Sequence, residues 1–273
     1  SNAMFVDMAA LTGSSVVGPL WSGLLINWKG AIAAYIFILL LIVIGTLILQ
    51  FIRIPNPEKQ IEKFKDLFIS TKNTAIYMLK NRITRLVITV TIIANVLFFP
   101  FIPMVPVFAE TVLLVNPVLM GLLGASFGLG NVIGSTYLGT FGKSTKPIKL
   151  FIFGTTTGFL FLLAFSVLEL YWACWFLLFF AGLAMTGFGS MQSAITLMTV
   201  SPDIRGKALG VIGVAIGTAP LGLLITGIVS GRFGIEVAIT INCFIALFIL
   251  IFALIFYRKE LFLEDSELIS DQS

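Results

Sequence analysis

Uncharged apolar stretches alternate with short charged segments along almost the whole chain. The charges bound eight gaps: Asp7 to Lys29, Lys29 to Arg53, Arg85 to Glu110, Glu110 to Lys143, Lys149 to Glu169, Glu169 to Asp203, Lys207 to Arg232, and Glu236 to Arg258. A bilayer core of ~30 Å takes ~20 helical residues at ~1.5 Å each, and even the shortest gap, Lys149 to Glu169, nearly meets that. The pattern predicts one helix per gap, hence an all-α polytopic membrane protein with eight transmembrane helices. In the two longest gaps, Asn116-Pro117 suits a turn and Leu170-Tyr171-Trp172 suits an aromatic anchor at the membrane interface.

One polar segment interrupts this series and sets the domain boundaries. Residues 4–54 hold two helices, 55–82 a cytoplasmic linker, 83–259 a six-helix bundle and 260–273 an acidic tail. Within the linker, Glu58 to Ile69 places Ile61, Phe64 and Phe68 opposite Lys59, Lys63 and Asp66, the pattern of an amphipathic helix lying on the membrane surface or tethering the two parts. Ser1-Asn2-Ala3 ahead of Met4 looks like the scar of a cleaved expression tag, so residues 1–3 are left out of the fold argument.

Orientation follows from where the basic residues lie, because Lys and Arg accumulate in cytoplasmic loops. With Met4 on the cytoplasmic side, every Lys and Arg except Lys29 and Arg232 faces inward. Both termini are therefore expected in the cytoplasm, and a bacterial inner membrane is the expected location. The formal charge of +4 then calls for no nucleic-acid partner, since the excess meets the anionic inner leaflet.

Composition agrees: hydrophobic residues make up 58% and charged residues 11%, far from a soluble domain. The candidate chemistry is sparse. The absence of histidine removes His-dependent triads, His-based zinc sites and histidine proton relays. All five aspartates fall at span ends, in loops or in the tail, so an enzyme, a metal site and a cofactor are not expected. The run Gly128 to Gly134 looks superficially like a dinucleotide fingerprint, but it falls mid-span without a preceding strand. Glycine has a packing role instead. Gly124, Gly128, Asn131 and Ser135 share one helical face, as do Gly206, Gly210, Gly213 and Gly217, and Gly18-Pro19 with Gly23 has the same character. Such faces let helix backbones approach in lipid. Asn95, Asn131 and Gln192 must face protein or water, either lining a cavity or pairing between helices.

Gly18-Pro19-Leu20-Trp21-Ser22-Gly23-Leu24-Leu25 resembles the fifth helix of the major facilitator superfamily. Met104 to Glu110 and Met120 to Ala125 resemble its seventh and eighth helices, in the branch of macrolide and siderophore exporters. Ser201 to Gly210 resembles its turn between helices ten and eleven. The resemblance implies helices five to twelve of that fold, with the first four missing and therefore expected as partners. Asn27-Trp28-Lys29-Gly30 echoes Gly231-Arg232-Phe233-Gly234, as a two-half repeat would. The family's acidic gating loop is matched by Gly139 to Lys143 without the acid.

The resemblance further implies secondary active transport by alternating access, with the membrane lipid around it and a small-molecule substrate. Export of apolar or amphipathic molecules is expected, as in multidrug efflux antiporters. The substrate-binding candidates are Thr91, Asn95 and Phe99, which share a face ahead of Pro100 and Pro103, together with Asn131 and Gln192. Gln192 lies on a stripe with Met185, Gly189, Thr196 and Thr199. The packing and gating candidates are Gly18, Pro19, Gly124, Gly128, Arg205, Gly206 and Gly210. The alternative is a non-transporting scaffold or an inactive truncated product.

Overall fold

The computed structural model describes residues 2–51, 64–141, 146–258 and 260, and side chains within 13–51, 69–140, 146–258 and 260. Every regular element among them is helical: α1 (Asn2–Lys29), α2 (Ala31–Phe51), α3 (Phe64–Lys80), α4 (Arg82–Ile93), α5 (Phe101–Thr111), α6 (Pro117–Phe141), α7 (Pro147–Ser166), α8 (Tyr171–Thr199), α9 (Arg205–Ile216), α10 (Ala219–Phe233) and α11 (Ile235–Phe256), with a π-helical turn at Ala94–Phe98 and a 3-10 turn at Pro202–Ile204. Among the described residues, seven helical segments are long and apolar enough to cross a membrane, the first being α2 and two of them composite. The gap from Asp7 to Lys29 is helical throughout as part of α1, but it is not one of those seven.

The two composite spans break at prolines. Pro100 has no N–H to give to Val96 O, and the ladder slips just before it, so that Phe99 N donates to Ala94 O across five residues (3.0 Å). A span expected to be distorted by Pro100 and Pro103 is thus opened one turn earlier, as a π-bulge carrying Asn95. Gly222 of α10 fits against this bulge: a Cβ there would lie 2.6 Å from Val96 Cα. The second break, Gly217-Thr218, separates α9 from α10 ahead of Pro220.

α8 runs through the centre of the bundle, with α6 and α7 packed along it and α11 behind α7. Small residues set these crossings, because close backbone approach is what holds helices together in lipid. A Cβ on Gly130 would lie 2.8 Å from Leu183 N, and one on Gly154 would lie 2.6 Å from Ala184 O. The interior is otherwise aromatic: Phe98 meets Phe101, Phe127 and Phe159 within 6.0 Å between ring centres. Cys174 and Cys243 are buried free thiols within that core. At the first turns of α6 and α8, Tyr171 OH donates to Leu119 O (2.9 Å) and Trp175 Nε1 to Leu122 O (3.2 Å), so this aromatic stretch anchors α8 to α6.

α1 packs on α6, and α2 hangs from α1 with nearly all its side chains exposed. The turn joining α1 to α2 matches the one joining α10 to α11. Gly30 and Gly234 both take positive φ (79° and 92°), and each N–H closes on the carbonyl four residues back, Ile26 (2.9 Å) and Ser230 (3.0 Å). The expected amphipathic helix over Glu58 to Ile69 lies largely outside the described residues; α3 runs from Phe64 to Lys80 and buries Thr74 and Met78.

Candidate functional site

Three buried polar residues meet where α4 crosses α8. Gln192 Nε2 donates to Thr91 Oγ1 (2.6 Å), joining the two helices, and Asn95 Nδ2 donates to Thr91 O (2.9 Å) from inside the π-bulge. Thr91, Asn95 and Gln192 are buried, and Thr196 and Thr199 extend the polar seam by donating back to Gln192 O (2.9 Å) and Ile195 O (2.7 Å). Two buried amides that both donate to Thr91, one to its carbonyl and one to its hydroxyl, are what a lipid-embedded interior tolerates. Of the two roles left open by the sequence, Gln192 performs the pairing one in this conformation.

Phe99 lies beside this cluster, half-buried, its ring 5.9 Å from that of Phe188, one helical turn before Gln192. Asn131 does not join it. It sits on α6 against Gly182 and Thr186 of α8, where its backbone carbonyl accepts from Thr186 Oγ1 (3.5 Å). From Thr186 to Gln192 the rise along α8 is ~9 Å. On the expected stripe, Met185, Gln192, Thr196 and Thr199 are buried, and Gly189 alone is exposed.

Beside Gly189 the surface of α8 is polar. Ser190 and Ser193 are exposed on a helix whose other outward residues, Trp172, Phe176 and Phe180, are aromatic. The sequence reading passed over this serine pair, for which spacing alone gave no signal. It also passed over Asn242 and Thr226, a buried pair bonded across α10 and α11 (2.8 Å).

The packing candidates divide into two sets. Pro19, Gly124 and Gly128 lie in the α1–α6 contact: a Cβ on Gly124 would sit 3.1 Å from Pro19 Cβ, and one on Gly128 2.6 Å from Ser15 O. Gly23 and Gly121 meet in the same seam, beside a cavity of about 250 Å³ bounded by α1, α5 and α6. Gly18, Gly206, Gly210 and Gly213 face open space, so the expected tight packing of the α9 stripe is not made by any described part of this chain. Arg205 Nε donates to Leu197 O (3.1 Å) near the end of α8. On the same side, Arg82 pairs with Glu260 (2.8 Å) and caps Phe256 O (3.1 Å), while Arg85 Nε donates to Tyr257 OH (3.0 Å). Among the described residues no group of His, Cys, Asp or Glu could hold a metal ion.

Residues 6–272 match the transmembrane secretion effector family, a branch of the major facilitator superfamily. The chain belongs to that family. It is an integral membrane protein and, as a major facilitator, not an enzyme. No curated protein matches the chain.

Proposed function

We propose that this transmembrane secretion effector is a secondary active transporter that exports apolar or amphipathic small molecules by alternating access. The observation that carries the reading is the Thr91–Gln192 contact, placed at a π-bulge and next to an exposed strip of Gly189, Ser190 and Ser193. π-bulges gather at functional sites because their ladders are easily remade. When α4 shifts on α8, the amides of Asn95 and Gln192 leave each other's neighbourhood and turn to the strip, where Phe99 offers an apolar wall. Asn131 borders the same path further along α8.

The eight apolar gaps correspond, in this proposal, to helices five to twelve of the superfamily fold. The paired glycine turns at Gly30 and Gly234 support that correspondence, since two halves built alike should turn alike. The open small-residue face of α9, at Gly206, Gly210 and Gly213, is where the helices expected upstream would pack. The α1–α6 seam is then the hinge line between the halves.

Both termini face the cytoplasm in this account, in a bacterial inner membrane. With Cys174 and Cys243 replaced by alanine, Lys63→Cys and Lys143→Cys should react with an impermeant maleimide only from the cytoplasmic side. Labelling of either from outside reverses the orientation.

Arg205 tests the cycle itself. Its guanidinium holds the last turn of α8 through Leu197 O, a charge-assisted bond. Arg205→Ala in the protein at its natural length should slow efflux of an amphipathic dye several-fold while leaving the amount inserted unchanged. Wild-type efflux from the variant would leave Arg205 only a topological charge.

A further inference from the structure

α6 and α7 each pack along α8 but scarcely touch each other. The gap is a groove of about 640 Å³, floored by Leu183, Ala184 and Gly187 of α8. Its depth has a visible cause: Gly134, Gly154 and Gly187 bring the three backbones together, and no side chain fills the space above them. The walls are apolar apart from the hydroxyls of Tyr137 and Thr157, and no acidic residue lines them. The groove opens sideways, past exposed Ile133, Phe153 and Phe180, on a different face of α8 from Gln192.

Two features select an occupant. Along α7 the lining runs from Leu150 to Phe161, a rise of ~16 Å, about half the ~30 Å hydrocarbon core. The groove therefore has the reach of one leaflet's acyl chain. At the start of α7, one turn before the lining residue Leu150, is Lys146, and Lys149 has its Nζ 5.7 Å from the centre of the Phe153 ring, itself part of the wall. Cationic groups over an apolar slot of that length complement an anionic amphiphile.

We propose that this groove is a binding site for an anionic phospholipid of the surrounding bilayer, one acyl chain lying between α6 and α7 and the phosphate held by Lys146 and Lys149. A tail gains little by leaving other tails for protein, so the lysines supply the selectivity and the groove supplies the fit. The site rests on the membrane-spanning reading alone and not on transport.

The test is retention of lipid by the purified, detergent-solubilised chain, read by native mass spectrometry. An equimolar mixture of phosphatidylglycerol and phosphatidylcholine with identical long chains is offered, and dihexanoyl phosphatidylglycerol is offered separately. The expected result is enrichment of long-chain phosphatidylglycerol by roughly five-fold per lysine, loss of that preference in Lys146→Gln/Lys149→Gln, and weak retention of the short-chain lipid. Thr157→Trp, which fills the groove from an accessible position, should lower retention of both long-chain lipids while elution volume and helical circular dichroism stay unchanged. Equal retention of the two headgroups by the wild type, an unaltered preference in the double variant, or short chains held as well as long ones would overturn the proposal.

Discussion

Gly121→Leu is expected to detach α1 from the bundle. Gly121 and Gly23 face each other so closely that a Cβ on Gly121 would lie 2.5 Å from Pro19 O and 3.0 Å from Gly23 Cα. The obstructing atoms are main chain, so no rotamer change relieves them, and α1 must move away as a whole. Overpacking costs ~1–3 kcal/mol where side chains can give; with backbone in the way the cost should reach ~3 kcal/mol or more. Pro19→Cys and Gly124→Cys report the effect, because a Cβ on Gly124 would lie 3.1 Å from Pro19 Cβ, a few tenths of an ångström short of the ~3.5–4.5 Å a disulfide spans. With the two native cysteines replaced, this pair should cross-link efficiently, and adding Gly121→Leu should abolish the cross-link. Gly139→Leu, on open surface, should leave it intact. A cross-link that survives Gly121→Leu means the seam is not held by backbone approach.

The second large effect concerns transport rather than packing. Gln192→Leu keeps the side chain's bulk and removes the only bond joining Thr91 Oγ1 to α8 among the described contacts. Hydrogen bonds between membrane helices are worth ~0.6 kcal/mol on average and ~1.7 at most, so thermal stability in detergent should fall modestly. Efflux should fall at least tenfold if the amide serves the substrate path. Thr196→Val removes a hydroxyl whose bond, to Gln192 O, stays within α8, and it should cost similar stability while sparing efflux. Parallel behaviour of the two variants would assign Gln192 to scaffolding.

What was legible in the sequence was whatever depends on one residue's own chemistry. Charge-free gaps became helices because an unpaired backbone group in hydrocarbon has no other outlet. Distortion near Pro100 was expected from its missing N–H, and the echo of Asn27–Gly30 in Gly231–Gly234 was visible as a repeat, whereas Pro19 and Pro106 sit inside unbroken helices. The slip into a π-turn at 94–98 was not legible. Where the ladder slips also has to suit Gly222, far along the chain, which packs over Val96. Likewise the pattern put Gly124 and Gly206 on similar small faces, yet one packs on α1 and the other faces open space. Nothing in a stripe says which partner covers it.

The candidate site was read in part for the same reason. Thr91 and Asn95 were singled out on the span that the resemblance puts beside a cavity, and Asn95 and Gln192 as amides that need partners; the partner of both amides is Thr91, at its carbonyl and its hydroxyl. Asn131 was grouped with them on residue type, and its place on α6 sets it apart. Ser190 and Ser193 were missed because serine is cheap to bury by bonding its own helix, so its spacing alone does not mark a surface.

The central claim is that the strip beside Gln192 is reached from both sides of the membrane in turn. The direct measurement is modification of Ser193→Cys, in the protein at its natural length with Cys174 and Cys243 replaced by alanine, by an impermeant maleimide added to right-side-out or to inverted membrane vesicles. The account predicts labelling from either side, slowed when transported substrate is present. Labelling from one side only, or from neither, would contradict it.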